Sequence, residues 1–287
     1  MSEKAQWYQR EYMQEDEMIA TPLLDHKDYD APSVFTAENL LREARRQKGL
    51  AQRRVPRICV LDPDGDLVDH LHRTARAQRD PTWACYHTVL DTFVHEGVDY
   101  GIIGRVVGAP FAVLVAEELF ASGCELIVSI TSAGQIISLG EPPYVVLIEK
   151  ALRDEGTSYH YLPPSRYSIL SPMLKEVIST AWDATLVPLY VGTSWTTDAP
   201  FRETEQAIAA YQAEGILAVE MEAAALYALA TAKQKDIVCF AHVTNQMGQT
   251  EGDFEKGEAA GSVTALHVIH QTAQRWQRWQ RQPFVEK

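Results

Sequence analysis

The sequence lacks a cysteine framework, an apolar run long enough to cross a bilayer, and an excess of positive charge. Its four cysteines are far apart and include no C-x-x-C pair, so a disulfide scaffold and a zinc site are not expected. The formal net charge of −13 argues against nucleic acid or an anionic membrane surface as the partner. The charged N-terminus has no apolar segment of the signal-peptide type. These absences predict a cytoplasmic protein with no bound metal, no membrane contact and no nucleic-acid partner.

The chain divides into two parts of different character. Residues 1–54 form a largely polar arm, in which "SVFTAENLLREARRQKG" has the spacing of an amphipathic helix that ends at Gly49. Residues 55–287 alternate short apolar runs with helical patterns, including "FAVLVAEELFASG" after Pro110 and "PPYVVLIEKALRDEG". This alternation predicts a single α/β domain with a mixed, largely parallel central sheet flanked by helices.

Small and polar residues follow the predicted strands, where α/β sheets bind their ligands. In "ITSAGQI" the small residues allow close backbone approach, and Thr131 and Ser132 add hydroxyl donors, which suits an anion or a sugar. A tight strand-to-helix turn explains the same residues equally well. Gly65 in "LDPDGD" is explained at least as well by a turn with positive φ.

Two carboxylates flank a methionine where an apolar strand meets an alanine-rich helix: Glu220, Met221 and Glu222. An unpartnered buried carboxylate is costly, so each needs a cation, a helix N-terminus or a ligand. The helix start accounts for one carboxylate but not for two. A carboxylate can accept hydrogen bonds from both hydroxyls of a ribose diol, and methionine offers a polarizable surface to the sugar. Sugar binding and a salt-bridged strand end both stay open.

The stretch "AVEMEAAALYALA" closely resembles the signature of the nucleoside phosphorylase superfamily, which includes purine nucleoside phosphorylases, uridine phosphorylases and methylthioadenosine nucleosidases. The likeness covers roughly residues 55 to 275, with "SITSAGQI" and "HVTN" standing at the family's sugar-phosphate and base loops. The resemblance implies a pentosyltransferase that cleaves the N-glycosidic bond of a purine or pyrimidine nucleoside. Inorganic phosphate would be its co-substrate, no cofactor would be needed, and the chain would form a homo-oligomer, a dimer or hexamer.

The resemblance also implies roles for individual residues. Glu222 would hold both ribose hydroxyls, Met221 would pack against the ribose, and Glu220 would support the same site. The remaining implied contacts are Thr131 to ribose and phosphate, Ser132 and Gly65 to phosphate, and Ala133, Gly134, Tyr161, Asn245 and Arg202 to the base.

Departures from the family pattern affect the phosphate loops. Val68 or Asp69 stands where the first loop has an arginine, and Ser129 replaces a second arginine. Their loss removes a charge-assisted clamp on phosphate, so Arg105 becomes a candidate replacement. A nucleosidase that uses water is the alternative function, and a catalytically silent nucleoside-binding protein is a second one.

A further departure lies at the base. Asn245 stands where family members that protonate adenine have aspartic acid, and an amide cannot act as a general acid. We therefore expect a 6-oxopurine or a pyrimidine. Arg202 either stabilises the departing base or is an exposed arginine at a helix start. Glu222, Asn245 and Arg202 are the catalytic candidates.

Overall fold

A computed structural model describes residues 21–247 and 251–281 of the chain. The helices described are α1 (Ala37–Lys48), α2 (Asp66–Arg73), α3 (Ala109–Ala121), α4 (Pro172–Ser179), α5 (Glu205–Ala213), α6 (Ala223–Lys233) and α7 (Ser262–Gln280). The strands are β1 (Ile58–Asp62), β2 (Ala77–Arg79), β3 (Asp91–His95), β4 (Val98–Gly104), β5 (Leu126–Gln135), β6 (Tyr144–Asp154), β7 (Tyr167–Ile169), β8 (Leu189–Thr197), β9 (Ile216–Glu220) and β10 (Asp236–Asn245). Two short 3₁₀ turns span Thr157–His160 and Pro200–Arg202.

These strands form one mixed sheet in the order β10-β6-β8-β9-β5-β1-β4-β3-β2, with β7 on β6. Strands β4, β1, β5 and β10 run parallel to one another. Because β10 pairs with both β5 and β6, strands β5, β9, β8, β6 and β10 close into a ring. The predicted α/β domain with a mixed sheet and flanking helices is confirmed. The segments that follow the parallel strands β1, β5 and β10 lie at the same edge of the sheet.

The predicted helix in "PPYVVLIEKALRDEG" is wrong, because this segment is strand β6. Tyr144 to Ile148 are all buried, and β6 pairs with β10 on one side and β8 on the other. A strand buried on both faces reads as a continuous apolar run, so its two-residue period is invisible in the sequence. The helix predicted after Pro110 is confirmed as α3.

The helix predicted in the arm is also confirmed. Thr36 caps α1, and Gly49 ends it in the left-handed region at φ 66°. Leu41 and Ala44 pack against Ala84. The division of the chain at residues 54 and 55 stays a prediction, and residues 1–20 of the arm lie outside the described part.

Helix α6 fixes the segment that precedes it. Ala223, Ala224 and Ala225 are at most 1% exposed, since small side chains let the helix approach the sheet closely. Farther along α6, the Tyr227 hydroxyl donates to the carbonyl of Ile148 at 2.6 Å.

None of the described helices is both long and apolar enough to span a bilayer.

Candidate active site

The predicted sugar and base loops meet where the carboxyl ends of β5, β9 and β10 converge. Gly134 of β5 lies opposite Val219 of β9 and beside Asn245 of β10. Strand β5 therefore continues through "TSAGQ" rather than ending before it. This convergence brings the loops around Thr131, Glu222 and Asn245 to one edge of the sheet.

Glu220 is held entirely by donors within the chain. One carboxylate oxygen accepts from the hydroxyls of Ser194 at 2.9 Å and Thr196 at 2.5 Å. The other accepts from the backbone N–H groups of Glu222 and Ala223, both at 2.7 Å. Burial raises the pKa of Glu220, against the lowering effect of these hydrogen bonds. Glu220 thus joins β8 to the start of α6 and has its oxygens occupied, which leaves ligand contact to its neighbours.

Glu222 has the opposite environment. It is 2% exposed, yet one oxygen accepts only the backbone N–H of Gly108 at 2.7 Å and the other only that of Met221 at 3.3 Å. No lysine or arginine of the described residues forms an ion pair with it. Burial, then the charge of Glu220, raise its pKa to about 8. Glu222 is a buried carboxyl with unused acceptor positions.

The Asn245 amide is fixed by its neighbours. Its oxygen accepts the backbone N–H of Met247 at 3.0 Å, and its nitrogen donates to the Thr244 hydroxyl at 3.3 Å. Beside it, a Cβ added at Gly134 would lie 2.5 Å from the Met247 sulfur. A larger residue at position 134 would have to displace the Met247 side chain and would crowd Val219, at 3.0 Å, so the close packing here favours glycine.

The two predicted phosphate residues Gly65 and Arg105 are adjacent. Gly65 has φ 84°, and the Arg105 side chain lies 2.9 Å from where its Cβ would be. The Arg105 guanidinium is bound to the Asp69 carboxylate at 2.7 and 2.8 Å, and this pairing raises the pKa of Arg105. Both side chains are about half exposed or more, so this ion pair is weak and can open.

Tyr161 and Arg202 contact neither Glu222 nor Asn245. The Tyr161 hydroxyl donates to the carboxylate of Glu117 on α3 at 2.5 Å. Arg202 lies exposed in the second 3₁₀ turn, and its side chain has no hydrogen bond or ion pair with another described residue. Their implied roles at the base therefore stay predictions.

Sequence reasoning missed Asp64 and His242, which lie next to Ser132, and Lys256, which lies next to Asp64 and Asp66. An Asp64 oxygen accepts the backbone N–H of Ser132 at 2.8 Å. Lys256 binds Asp66 and lies 3.8 Å from Asp64. Buried His242 pairs in register with Ser132, and within the described part of the chain its Nε2 has no hydrogen-bond partner. Burial lowers its pKa to about 4, so it is neutral at pH 7.

Asp64 and His242 line a cavity of about 20 Å³ together with Ser132, and this cavity has room for about one water molecule. The aspartates and the histidine stand in motifs that the sequence displays, "DPDGD" and "HVTN". No sequence motif indicates Lys256, because its partner Asp66 lies 190 positions earlier in the chain. Among the described residues, no group of three or more histidine, cysteine or acidic side chains is arranged to hold a metal ion.

The environment of Glu222 predicts a pH-dependent stability. Its carboxyl has a pKa of about 8 in place of 4.5, so the folded protein binds more protons than the unfolded chain between these pH values. The unfolding free energy therefore falls as the pH rises through this range. Relative to wild type, E222Q should gain roughly 1–4 kcal/mol between pH 5 and pH 8, measured by urea unfolding. The exposed E176Q on α4 should show no such gain, and a pH-independent difference for E222Q would contradict this environment.

Curated relatives match part of this chain. Guanosine phosphorylase of Halorubrum lacusprofundi is 29% identical over 140 residues, 48% of this chain and 58% of the relative. The DeoD-type purine nucleoside phosphorylase of Colwellia psychrerythraea is 30% identical over 143 residues, 48% of this chain and 60% of the relative. The chain thus spans about three fifths of the length of these curated relatives.

Solved structures match a larger share of the chain and show the same fold. Uridine phosphorylase from Vibrio fischeri is 21% identical with a TM-score of 0.61, covering 88% of this chain and 99% of that one. Purine nucleoside phosphorylase from Toxoplasma gondii is 16% identical with a TM-score of 0.65, covering 79% and 93%. The family model described as the phosphorylase superfamily matches residues 57–271. The chain therefore belongs to the phosphorylase superfamily.

Proposed function

We propose that this chain is a nucleoside phosphorylase, which cleaves the N-glycosidic bond of a nucleoside with phosphate to give free base and pentose 1-phosphate. The observation that carries the proposal is the Glu222 carboxyl, which is buried without a cation and keeps acceptor positions free. A structural role would require partners of the kind that Glu220 has. The names of the relatives, guanosine phosphorylase and purine nucleoside phosphorylase, support this reaction.

The sugar would be held through its two ring hydroxyls. Departure of the base leaves positive charge at C1′, as in glycoside hydrolysis. With a pKa of about 8, Glu222 is largely protonated at pH 7 in the empty site, and hydrogen bonds from both ribose hydroxyls would favour its ionised form. The carboxylate accepting these two hydrogen bonds would fix the ribose and face the developing cation, where a fixed negative group in a buried site is most effective. Met221, adjacent in sequence and half-buried, would pack against the sugar ring.

The base would lie near Asn245. Its amide is already bonded through both its oxygen and its nitrogen, and it has no proton to give as an acid. It can share hydrogen bonds with a 6-oxopurine or a pyrimidine. The backbone at Ala133 and Gly134 would face the base, and Arg202 would reach it only by moving from its exposed turn.

Phosphate would need local donors, because the chain's net charge of −13 repels a dianion. Thr131 and Ser132 on β5 supply hydroxyls, and the Ser132 backbone N–H becomes available once the Asp64 carboxylate leaves it. Arg105 beside Gly65 supplies a cation once it leaves Asp69, and Lys256 supplies another. Phosphate would serve as co-substrate, with no further cofactor.

Hydrolysis is a second candidate, favoured by one specific observation. The Ser132 N–H is already occupied by the Asp64 carboxylate, and the adjoining cavity of about 20 Å³ suits a water molecule rather than a phosphate ion. A nucleosidase would use the same hydrogen bonds to the ribose and the same contacts to the base. A catalytically silent nucleoside-binding protein could use the same ribose contacts and would bind nucleoside without releasing base.

A substrate panel decides between these functions. Purified protein is incubated with inosine, uridine and adenosine, with and without inorganic phosphate, and base and pentose 1-phosphate are measured. We expect phosphate-dependent base release matched by pentose 1-phosphate. E222Q should fold and lose about 100-fold or more of kcat/KM, since an amide oxygen makes weaker hydrogen bonds than a carboxylate. Base release independent of phosphate would overturn phosphorolysis, and unchanged kinetics in E222Q would overturn the ribose assignment.

Asn245 predicts the base preference. N245D introduces a group able to protonate a purine nitrogen, so the ratio of kcat/KM for adenosine to that for inosine should rise about 10-fold or more. The measurement is steady-state kinetics on both nucleosides with each variant. N39D, an exposed amide-to-acid change on α1, should leave the ratio at the wild-type value. An unchanged ratio in N245D would mean that position 245 does not face the base.

We also propose a homo-oligomer, either a dimer or a hexamer, located in the cytoplasm. Val34 and Phe201 are each 99% exposed in the single chain, and assembly would remove such apolar side chains from water. Light scattering at micromolar concentration should therefore give at least twice the mass of one chain, 32.2 kDa. A monomer at that concentration would contradict the proposal.

A further inference from the structure

Asp64 lies where a phosphate oxygen would be expected to bind. It follows the end of β1, and its carboxylate reaches across to the backbone N–H of Ser132 on β5, with a distance of 2.8 Å from Oδ2 to nitrogen. A carboxylate oxygen and a phosphate oxygen make the same kind of charge-assisted hydrogen bond to a backbone N–H. One N–H cannot serve both at full strength, so phosphate and Asp64 compete for this donor.

The charges around Asp64 add to this competition. Asp62 and Asp66 line the same cavity, and the charge of Asp64 contributes to the raised pKa of Glu222. His242 is neutral at pH 7, because burial lowers its pKa. Lys256 does not line the cavity; it is bound to Asp66 and lies 3.8 Å from Asp64. Burial raises the pKa of Asp62 to about 7, so the negative charge that a phosphate dianion would meet here comes mainly from Asp64 and from Asp66, which Lys256 partly neutralises.

We propose that Asp64 is the residue that selects the nucleophile of this enzyme, by holding the Ser132 N–H and keeping phosphate out until it is displaced. This inference rests on the proposed function and concerns the same site. Lys256, 3.8 Å from the other Asp64 oxygen, offers the displaced carboxylate a new partner. With Asp64 in place, the Ser132 N–H is not available to a phosphate oxygen, whereas a water molecule fits the adjoining cavity of about 20 Å³.

The test removes the carboxylate in two ways. D64G deletes the side chain, and D64N keeps its size but removes its charge. D99N, an exposed change on β4, removes one negative charge far from the cavity and serves as the matched control. Circular dichroism and thermal melting establish that each variant is folded. Two measurements are made on each: titration of the protein with inorganic phosphate by calorimetry, and base release as a function of phosphate concentration.

We expect D64G and D64N to bind inorganic phosphate at least 10-fold more tightly than wild type, which corresponds to about 1.4 kcal/mol. The KM for phosphate should fall similarly, while the KM for nucleoside changes by less than about 3-fold and D99N matches wild type. Phosphate affinity that is unchanged or weaker in folded D64G would overturn the inference.

This outcome is separable from failure of the proposed function. If wild type releases base without phosphate, phosphorolysis by the natural chain is wrong. The inference then still requires D64G to gain phosphate binding and pentose 1-phosphate formation. If no variant cleaves a nucleoside, the calorimetric comparison with inorganic phosphate decides the inference alone.

Discussion

The arrangement of the site depends on one carboxylate with four donors. Glu220 ends β9, and its oxygens accept from two hydroxyls of β8 and from two backbone N–H groups at the start of α6. One of those N–H groups belongs to Glu222, so the same interaction that joins strand to helix also sets the direction of the second carboxylate. A buried charge is tolerated only with such satisfaction. Glu220 therefore has a structural role, because its oxygens are fully hydrogen-bonded, whereas Glu222 keeps acceptor positions available for a ligand.

Negative charge is the second constraint on this site. The aspartates at and after the end of β1 line one cavity, and the charge of Asp64 also raises the pKa of Glu222, in a protein of net charge −13. Such a site favours a sugar, whose hydroxyls donate, over a phosphate dianion, which repels carboxylates. Arg105 is tied to Asp69 and Lys256 to Asp66, so both nearby cations are partly neutralised. The unpaired Glu222 carboxyl therefore stays available for a ligand, whereas the donors and cations nearby are bound to the protein's own carboxylates.

The alternation of strands and helices was predictable where each element buries one face or carries clear end signals. Helix α1 has a polar face and ends at Gly49, and α3 begins beside Pro110. Strand β6 was not predictable in this way, because it is buried between β10 and β8 and shows no two-residue period. The continuation of β5 to Gln135 was missed for a related reason. It depends on pairing with β9, which lies more than eighty residues farther along the chain.

The sequence by itself determined the family, the paired carboxylates around Met221, and an amide at the predicted base position, because each is local and carries its chemistry in the side chain. Only the tertiary structure decided which carboxylate is free, that Asp69 holds Arg105, and that Asp64 occupies the Ser132 N–H. The last contact joins residues 68 positions apart, and that of Lys256 with Asp66 joins residues 190 apart. Such contacts arise from strand order and register, which place distant residues at one sheet edge and leave no periodic trace in the sequence.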